Sequence, residues 1–511
     1  MPPGVRPVWS VHRGRPADPL ARGVTPPSAG APVVVQRLHH TRAIAGSWSP
    51  CRPRTPSRRT VAMRSGGGGR PPADRSPGPV RSRQGVDTIG PCVLHYRTEV
   101  LLTNESPQQS GHLRVLRETE MGCWFDRRAT RGISLLLLDP DRVIRSPDRL
   151  WPTMDAAAGA DNPGPFGFAG GWAGAISYEA SLTALDIQTS APGIAVAHYP
   201  GALAIDHAQG RAFAVGRGAT GSAAAQAWAA RFRAHRAWSA TAPRAPRVVD
   251  PGPSPTTFAQ QVCAVQDWIC HGQVYVANLT YRIRLDRLPD PVAAYARLSA
   301  SHPAPYAALL RNGDHWILSS SPELLVRRNG ARAWTRPIKG TRRAGEATAL
   351  SNDAKERAEL TMVVDMERND LGRVARVGTV HVSELFVVEP HPGLEHLVAT
   401  VEGAVPGAAG GLLHAMLPGG SVTGAPKRRA VELLGTLESD PRGVYTGAVG
   451  YCDDGGDMEW NVAIRTLEVL RGHGCYGTGG GITIDSYPLR EYAETRLKAA
   501  GPLRALGVPW E

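Results

Sequence analysis

Lys339 stands between Ile338 and Gly340 in the stretch TRPIKGTRR at 335–343, at the end of what reads as a strand. A lysine there is either a solvated charge of the kind that protects edge strands from aggregation or a nucleophile held in a pocket. Two pairs of carboxylates, Glu356 with Glu359 and Glu491 with Glu494, are spaced i, i+3 and so share a helix face. Either pair alone is more often a solvated surface. Two such helices facing each other would instead form an oxygen-rich site suited to Mg2+, an ion that keeps several waters and also takes an anionic substrate group. Arg465, flanked by apolar residues in WNVAIRTLEV, reads as part of an alternating strand. It could grip a carboxylate through two hydrogen bonds or serve a structural ion pair. His396 in GLEHLVATVEG is a candidate general acid or base, although a lone histidine is more often a satisfied core residue. Glycine-rich stretches at 417–430 (LPGGSVTGAPKRRA) and 477–486 (GTGGGITIDS) could offer backbone N–H groups to a carboxylate or phosphate. Neither matches a P-loop or a dinucleotide fingerprint.

The elements that must position these residues are legible in part. Ser254 and Pro255 suit the cap and first turn of a helix over 256–271. Phe258, Val262, Val265 and Ile269 share one face of it, and Gly272 closes it. Residues 273–285 alternate as a strand, with Tyr275, Ala277, Leu279, Tyr281, Ile283 and Leu285 on one side. Asn312-Gly313 and Asn329-Gly330 each separate apolar runs and predict hairpins in an antiparallel sheet. With the second turn at 329–330, position 323 faces 336, and Lys339 lies three residues further on, about 10 Å by strand rise. Upstream, 91–245 is strand-rich: 132–139 reads as a buried strand or helix segment and 193–216 as two or three strands, before a helix over 222–238. Residues 239–256 read as a linker.

Composition narrows the class. The 511 residues are 42% hydrophobic, enough for one large domain or two. The seven cysteines form no CxxC pair, which argues against a disulfide framework or zinc ribbon and for a reducing cytoplasm. No apolar run approaches a membrane span. The net charge of +13 does not indicate nucleic acid, because residues 1–85 hold 15 arginines and two acids (15 − 2 = +13), leaving 86–511 neutral. That Pro/Gly/Arg-rich segment, taken as 1–88, reads as a disordered tail, and a start placed too far upstream would produce it.

Taken together, residues 255–506 resemble the chorismate-utilising enzymes: anthranilate synthase component I, aminodeoxychorismate synthase component I and the isochorismate/salicylate synthases. The resemblance is carried by SSSPELL, PIKGTRR, KERAEL, VVDMERNDLGRV, HLVATVEG, LPGGSVTGAPK, RGVYTGAVGY, NVAIRTL, GGGITIDS and EYAETRLKA, with FGFAGGWAGAISYEA at 166–180 resembling an N-terminal motif. It departs at GQVYVAN (272–278), where the family has Gly-Asp-Ile-Tyr-Gln-Val-Asn, and it shows no tryptophan-pocket motif. Between the Ile and Gly of the opening stretch, anthranilate synthases have alanine and aminodeoxychorismate synthases have lysine, so Lys339 places the resemblance with the latter.

The resemblance implies an α/β (α+β) fold like anthranilate synthase component I, of two interleaved halves, with antiparallel sheets packed face to face and helices outside. It implies an N-terminal region at 91–245 and a chorismate-binding catalytic region at 255–507. Glu356, Glu359, Glu491 and Glu494 would hold Mg2+, which anchors the ring carboxylate of chorismate together with the amides around Gly480 and Gly481. Arg465 and Tyr445 would hold the enolpyruvyl carboxylate, and Thr423 and Lys498 belong to the same substrate-binding set. Lys339 would attack C2 as the C4 hydroxyl departs, with Glu323 as acid and His396 on the C4 side. Ammonia would then add at C4 and expel the lysine, giving 4-amino-4-deoxychorismate on the way to para-aminobenzoate and folate. Such an amine must be free of its proton, which burial or a nearby cation would favour. A separate glutaminase subunit would supply the ammonia, because no cysteine here lies in a Gly-x-Cys-x-Gly setting. The alternatives are anthranilate synthesis, or isochorismate or salicylate synthesis.

Overall fold

The computed structural model describes residues 95–100, 110–157, 165–189, 193–235, 245–288, 290–391 and 394–510. The tail at 1–88, Cys51 and Cys92 lie outside these, as do residues 239–244 of the linker. The other five cysteines, Cys123, Cys263, Cys270, Cys452 and Cys475, are free thiols.

Among the described residues every strand pair is antiparallel, and the strands form two sheets of 12 and 10 strands. Each sheet mixes early and late chain. The larger runs from strands such as Ile133–Leu138 and Met121–Asp126 through Tyr306–Asn312 and His315–Ser321 to Thr466–Leu470, His473–Ile482 and Val276–Arg287. The smaller runs from Ile338–Arg343 and Leu394–Ala404 through Leu324–Asn329 and Met458–Val462 to Gly171–Ile176 and Ile194–Tyr199. The regions 91–245 and 255–507 are thus interleaved, and contacts gather 86–511 into one unit.

Apolar residues of both sheets meet in one core, with Leu135, Leu137, Phe125 and Leu309 of the larger against Ala173, Ala197, Val449 and Tyr451 of the smaller. Helices cover the outer faces. Phe258, Val262 and Val265 of Pro255–Cys270 pack against Leu279 and Ile482, and Leu360, Val364 and Leu371 of Ala354–Gly372 pack against Leu397 and Ala399. Ser254 caps the first of these helices by accepting from Thr257 N at 3.1 Å, and Gly272 ends it in the left-handed region at φ +69°. Ile269 is only partly buried.

Several local expectations shift by a few residues. Tyr275 lies outside the strand and is 75% exposed, because pairing with Gly481 and Ile482 starts only after it. The upstream helix starts earlier than expected, spanning Gly218–Ala234. Both Asn-Gly hairpins form, but Asn312 pairs with His315 and Asn329 with Arg332, so each glycine takes the first turn position with positive φ. A bulge between Leu324 and Arg327 then sets Leu324, not Glu323, opposite Arg336.

Candidate active site

The chain crosses between sheets at two adjoining places, and each crossing carries a site residue. Ser321 ends a strand of the larger sheet, Leu324 begins one of the smaller, and Glu323 lies between. In the reverse direction Val462 ends a strand of the smaller sheet and Thr466 begins one of the larger, with Arg465 between. The crossings are laced together: Val462 N donates to Glu323 O (3.1 Å), Ser321 Oγ to Val462 O (2.6 Å), and Ser320 N to Arg465 O (3.1 Å). Arg465 is therefore not in a strand as its alternating neighbours suggested. It occupies a bend at φ +50°, which the change of sheet requires.

Lys339 lies in the edge strand Ile338–Arg343, half-buried. The register against Leu394–Ala404 slips between Lys339 and Thr341, making Gly340, at φ +70°, a bulge residue. A Cβ on Gly340 would lie 2.8 Å from Leu350 Cδ1 and 3.1 Å from Glu356 Oε2, so the glycine also lets the first acidic helix approach. The charged neighbours of Lys339 are Glu323 and Glu494, carboxyl groups rather than a cation. Glu323 is 4% exposed. Burial lifts its carboxyl above the ordinary range, against the Ser421 hydroxyl, the Lys339 ammonium and the Ile338 N–H, which favour the charged form. Ser421 neighbours the carboxyl without completing a full hydrogen bond.

His396 pairs in register with Thr341 and joins its hydroxyl through Nδ1 at 2.9 Å. Burial, then Arg465 and His391, push its pKa down to about 3, so it is a neutral imidazole. Arg465 also depresses His391 and His302, in each case after burial. No carboxylate of the described residues pairs with Arg465; imidazoles and Tyr476 surround it. A half-buried guanidinium so placed has the chemistry to receive an anion. Tyr445 is buried beside Tyr476, its ring lying where a Cβ on Gly477 would otherwise be (2.1 Å from Tyr445 Cγ). A cavity of about 350 Å³, lined by Tyr306, Pro322, Ile338 and His391 among others, adjoins this cluster.

The two acidic helices, Ala354–Gly372 and Pro488–Ala505, pack on opposite sheets, and their charged residues come within electrostatic reach, Glu356 of Glu494 and Lys355 of Glu491 and Glu494. Burial and neighbouring carboxylates raise Glu356, with Glu359 and Glu494 among them, and burial and Glu494 raise Glu491. The four do not converge: Lys355 Nζ lies 3.7 Å from Glu359, Lys498 Nζ 2.9 Å from Glu494, and Ser486 Oγ 2.8 Å from Glu491. Among the described residues no three His, Cys, Asp or Glu side chains form a metal-binding group. The donor chemistry still fits Mg2+, since all four are hard oxygen ligands and lysine ammoniums now neutralise two of them.

Gly480 is open toward this set, a Cβ there lying 3.7 Å from Glu491 Oε2 and 3.8 Å from Lys498 Nζ, and Gly481 would meet only Val276 at 3.7 Å. Lys498 also donates to Gly479 O at 3.2 Å. Thr423 is fully buried with its hydroxyl donating to Gly419 O (2.9 Å), so in this structure it shapes the Gly-Gly-Ser turn. His302, His391, Ser421 and Glu367 escaped the sequence reading. Glu367 was detectable, because with Leu360, Val363, Val364 and Leu371 it falls on the buried stripe of its helix, where a charge is out of place.

The chorismate binding enzyme family matches residues 123–504. The chain is 40% identical over 264 residues to aminodeoxychorismate synthase component 1 of Bacillus subtilis, covering 50% of this chain and 56% of that protein. To the protein of that name from Klebsiella aerogenes it is 37% identical over 327 residues, 61% of this chain and 70% of that one. Anthranilate synthase component 1 1 of Haloarcula marismortui is 40% identical over 260 residues, 49% of this chain and 53% of that protein. The chain thus spans little more than half the length of two of these three relatives. The crystal structure of anthranilate synthase component I from Streptococcus pneumoniae superimposes with a TM-score of 0.65 at 28% identity, over 73% of this chain and 92% of that one. For fold alone, MenF, the menaquinone-specific isochorismate synthase of Escherichia coli, gives 0.64 at 18% identity over 81% and 95%. Face-to-face antiparallel sheets with outer helices are what the sequence motifs implied, and the chain belongs to the chorismate binding enzymes.

Proposed function

We propose that this chain is an aminodeoxychorismate synthase component I, converting chorismate and ammonia to 4-amino-4-deoxychorismate. The observation that carries the reading is Lys339, half-buried beside the buried acid Glu323 and aimed by the Gly340 bulge toward the acidic helices. Relatives named aminodeoxychorismate synthase component 1, about 40% identical, support it, and because an anthranilate synthase component 1 1 is equally identical, it is Lys339 that favours amination at C4 over anthranilate synthesis.

The residues divide the work. Arg465 takes a carboxylate of chorismate, with neutral imidazoles and Tyr445 closing around it. Glu356, Glu359, Glu491 and Glu494 would hold Mg2+ once Lys355 and Lys498 swing aside, and the ion would supply positive charge for the other carboxylate. Lys339, free of its proton, forms a bond to C2 while the C4 hydroxyl leaves as water, protonated by Glu323. Ammonia then bonds to C4, and the C2–N bond to Lys339 breaks with its electron pair returning to the amine. His396, neutral, can accept a hydrogen bond on the C4 side but cannot act as a cationic acid.

Ammonia would come from a separate glutaminase subunit, the product would serve para-aminobenzoate and folate synthesis, and the site of action would be the cytoplasm. Among the described residues no helix is long and apolar enough to cross a membrane. Incubation with chorismate, Mg2+ and ammonium tests the reading: 4-amino-4-deoxychorismate is expected, and accumulation of fluorescent anthranilate would reject it.

A further inference from the structure

Arg442 is the opposite of Arg465. It is 2% exposed, and all five of its side-chain N–H groups are engaged. Nε and Nη2 grip the two carboxylate oxygens of Glu438 at 2.8 and 2.7 Å. The remaining donors reach Val422 O (2.8 Å), Asn278 O (2.7 Å) and the Thr446 hydroxyl (3.3 Å). No donor is left for a ligand, so Arg442 is not itself an anion receiver. A buried ion pair adds little net stability over an apolar substitute, because desolvation opposes the attraction, and one attested use of such a pair is to fix a single arrangement.

What Arg442 fixes is the side of the site that would receive the substrate carboxylates. On the strand Val276–Arg287, Asn278 pairs with Gly481, Leu279 with Gly480 and Thr280 with Gly479. Arg442 holds Asn278 directly and Thr280 through Glu438, whose Oε1 accepts from Thr280 N and Oγ1 at 2.9 Å each. Tyr445 lies three residues beyond Arg442, and the Thr446 hydroxyl that Arg442 engages donates to Tyr445 O at 2.6 Å. The backbone is strained there. Thr446 is β-branched yet sits at φ +63°, a conformation that persists only where its surroundings impose it and that clusters at functional sites.

The early chain completes the clasp. Glu179, 8% exposed, accepts from Arg442 N at 2.6 Å and from Gly443 N at 3.1 Å. Tyr178 N donates to Gly443 O at 2.7 Å, and the Tyr178 ring lies 4.3 Å from the Arg442 guanidinium. Among the described residues, no side-chain hydrogen bond of Glu179, Arg442 or Glu438 reaches 321–324 or 338–343, the segments that carry Glu323 and Lys339.

We propose that Arg442 and Glu179 are positioning residues for chorismate binding, together holding Tyr445 and the Gly479–Gly481 strand in the geometry that receives the substrate carboxylates. Neither touches substrate. This rests on the reading of Tyr445, Gly480 and Gly481 as carboxylate-binding residues. The region 91–245 thereby shapes the active site through one buried carboxylate, while the nucleophile and its acid hang on other segments.

The test is steady-state kinetics with chorismate, Mg2+ and ammonium, alongside calorimetric titration of chorismate, for Glu179→Gln and Arg442→Lys. The glutamine amide offers one acceptor oxygen to two N–H groups, and lysine keeps a charge opposite Glu438 but lacks the planar fork. Each variant should raise KM and Kd for chorismate about tenfold or more, as for loss of one charge-assisted hydrogen bond, while kcat at saturation changes far less. A merely structural role predicts the reverse, because a smaller folded fraction lowers kcat and leaves KM unchanged. That reverse pattern in Glu179→Gln, or unchanged KM and Kd, overturns the inference. If Arg442→Lys fails to fold, Glu179→Gln alone decides. Wild-type protein that makes anthranilate would instead overturn the aminating reading, and the KM comparison would still judge the clasp, since both reactions bind chorismate.

Discussion

Replacing Gly340 by alanine should damage both the fold and the chemistry, by amounts that can be worked out. The residue is at φ +70°, where a side chain costs about 1–2 kcal/mol. Its Cβ would also press to 2.8 Å on Leu350 Cδ1 and 3.1 Å on Glu356 Cγ and Oε2. Leu350 is fully buried and cannot retreat freely, and overpacking of this kind costs about 1–3 kcal/mol. Gly340→Ala should therefore lose about 2–5 kcal/mol in urea-induced unfolding. Relief of the clash would flatten the bulge and move Lys339, and a displacement near 1 Å costs on the order of 100-fold in rate. Chorismate turnover with ammonium, measured on folded protein at low temperature, should drop by about that factor. A variant as stable and as active as wild type would show that the bulge neither strains the chain nor aims the lysine.

Arg465→Met removes the anion receiver and should weaken chorismate binding about 10- to 100-fold by titration calorimetry, with little change in melting temperature. Chelation of Mg2+ should abolish turnover, and Glu356→Gln or Glu491→Gln should abolish Mg2+-dependent chorismate binding; activity persisting in metal-free buffer would remove the ion from the account. His198 joins Asp141 Oδ1 at 2.7 Å and Asp454 at 3.2 Å, and although burial would lower its pKa, the Asp454 and Asp141 carboxylates raise it. Its folded value exceeds the unfolded value of about 6.5, so its stabilisation is full below that pH and is lost as pH rises through the folded value. His198→Asn should accordingly destabilise the protein most below about pH 6.5 in thermal melts, and an equal loss at pH 9 would contradict the assignment.

The periodic signals carried most of the fold. Ser254-Pro255 with Phe258, Val262 and Val265 marked a helix because capping and burial are both local in sequence, and each Asn-Gly pair marked a hairpin for the same reason. Registers were less legible. The bulge near Leu324 and the slip at Gly340 depend on how neighbouring strands meet, and both moved the relation between Glu323 and Lys339. Arg465 was misplaced because apolar neighbours alternate equally well in a strand and across a sheet-to-sheet bend. Thr423 carried a motif position, but its hydroxyl turns inward to Gly419 O, a choice made by tertiary packing. Among the motif residues, Glu323 neighbours Lys339 and Arg465 neighbours His396. Glu367 was passed over because a charge on a helix is normally solvated, although its place on the apolar stripe argued otherwise.

Product analysis of Lys339→Ala against wild type, with chorismate, Mg2+ and ammonium, puts the assigned nucleophile to the most direct test. Wild type should yield 4-amino-4-deoxychorismate by chromatography and mass spectrometry, and the alanine variant should lose it while still binding chorismate. Undiminished product from the variant would contradict the account, because the amine on which the chemistry turns would then be dispensable.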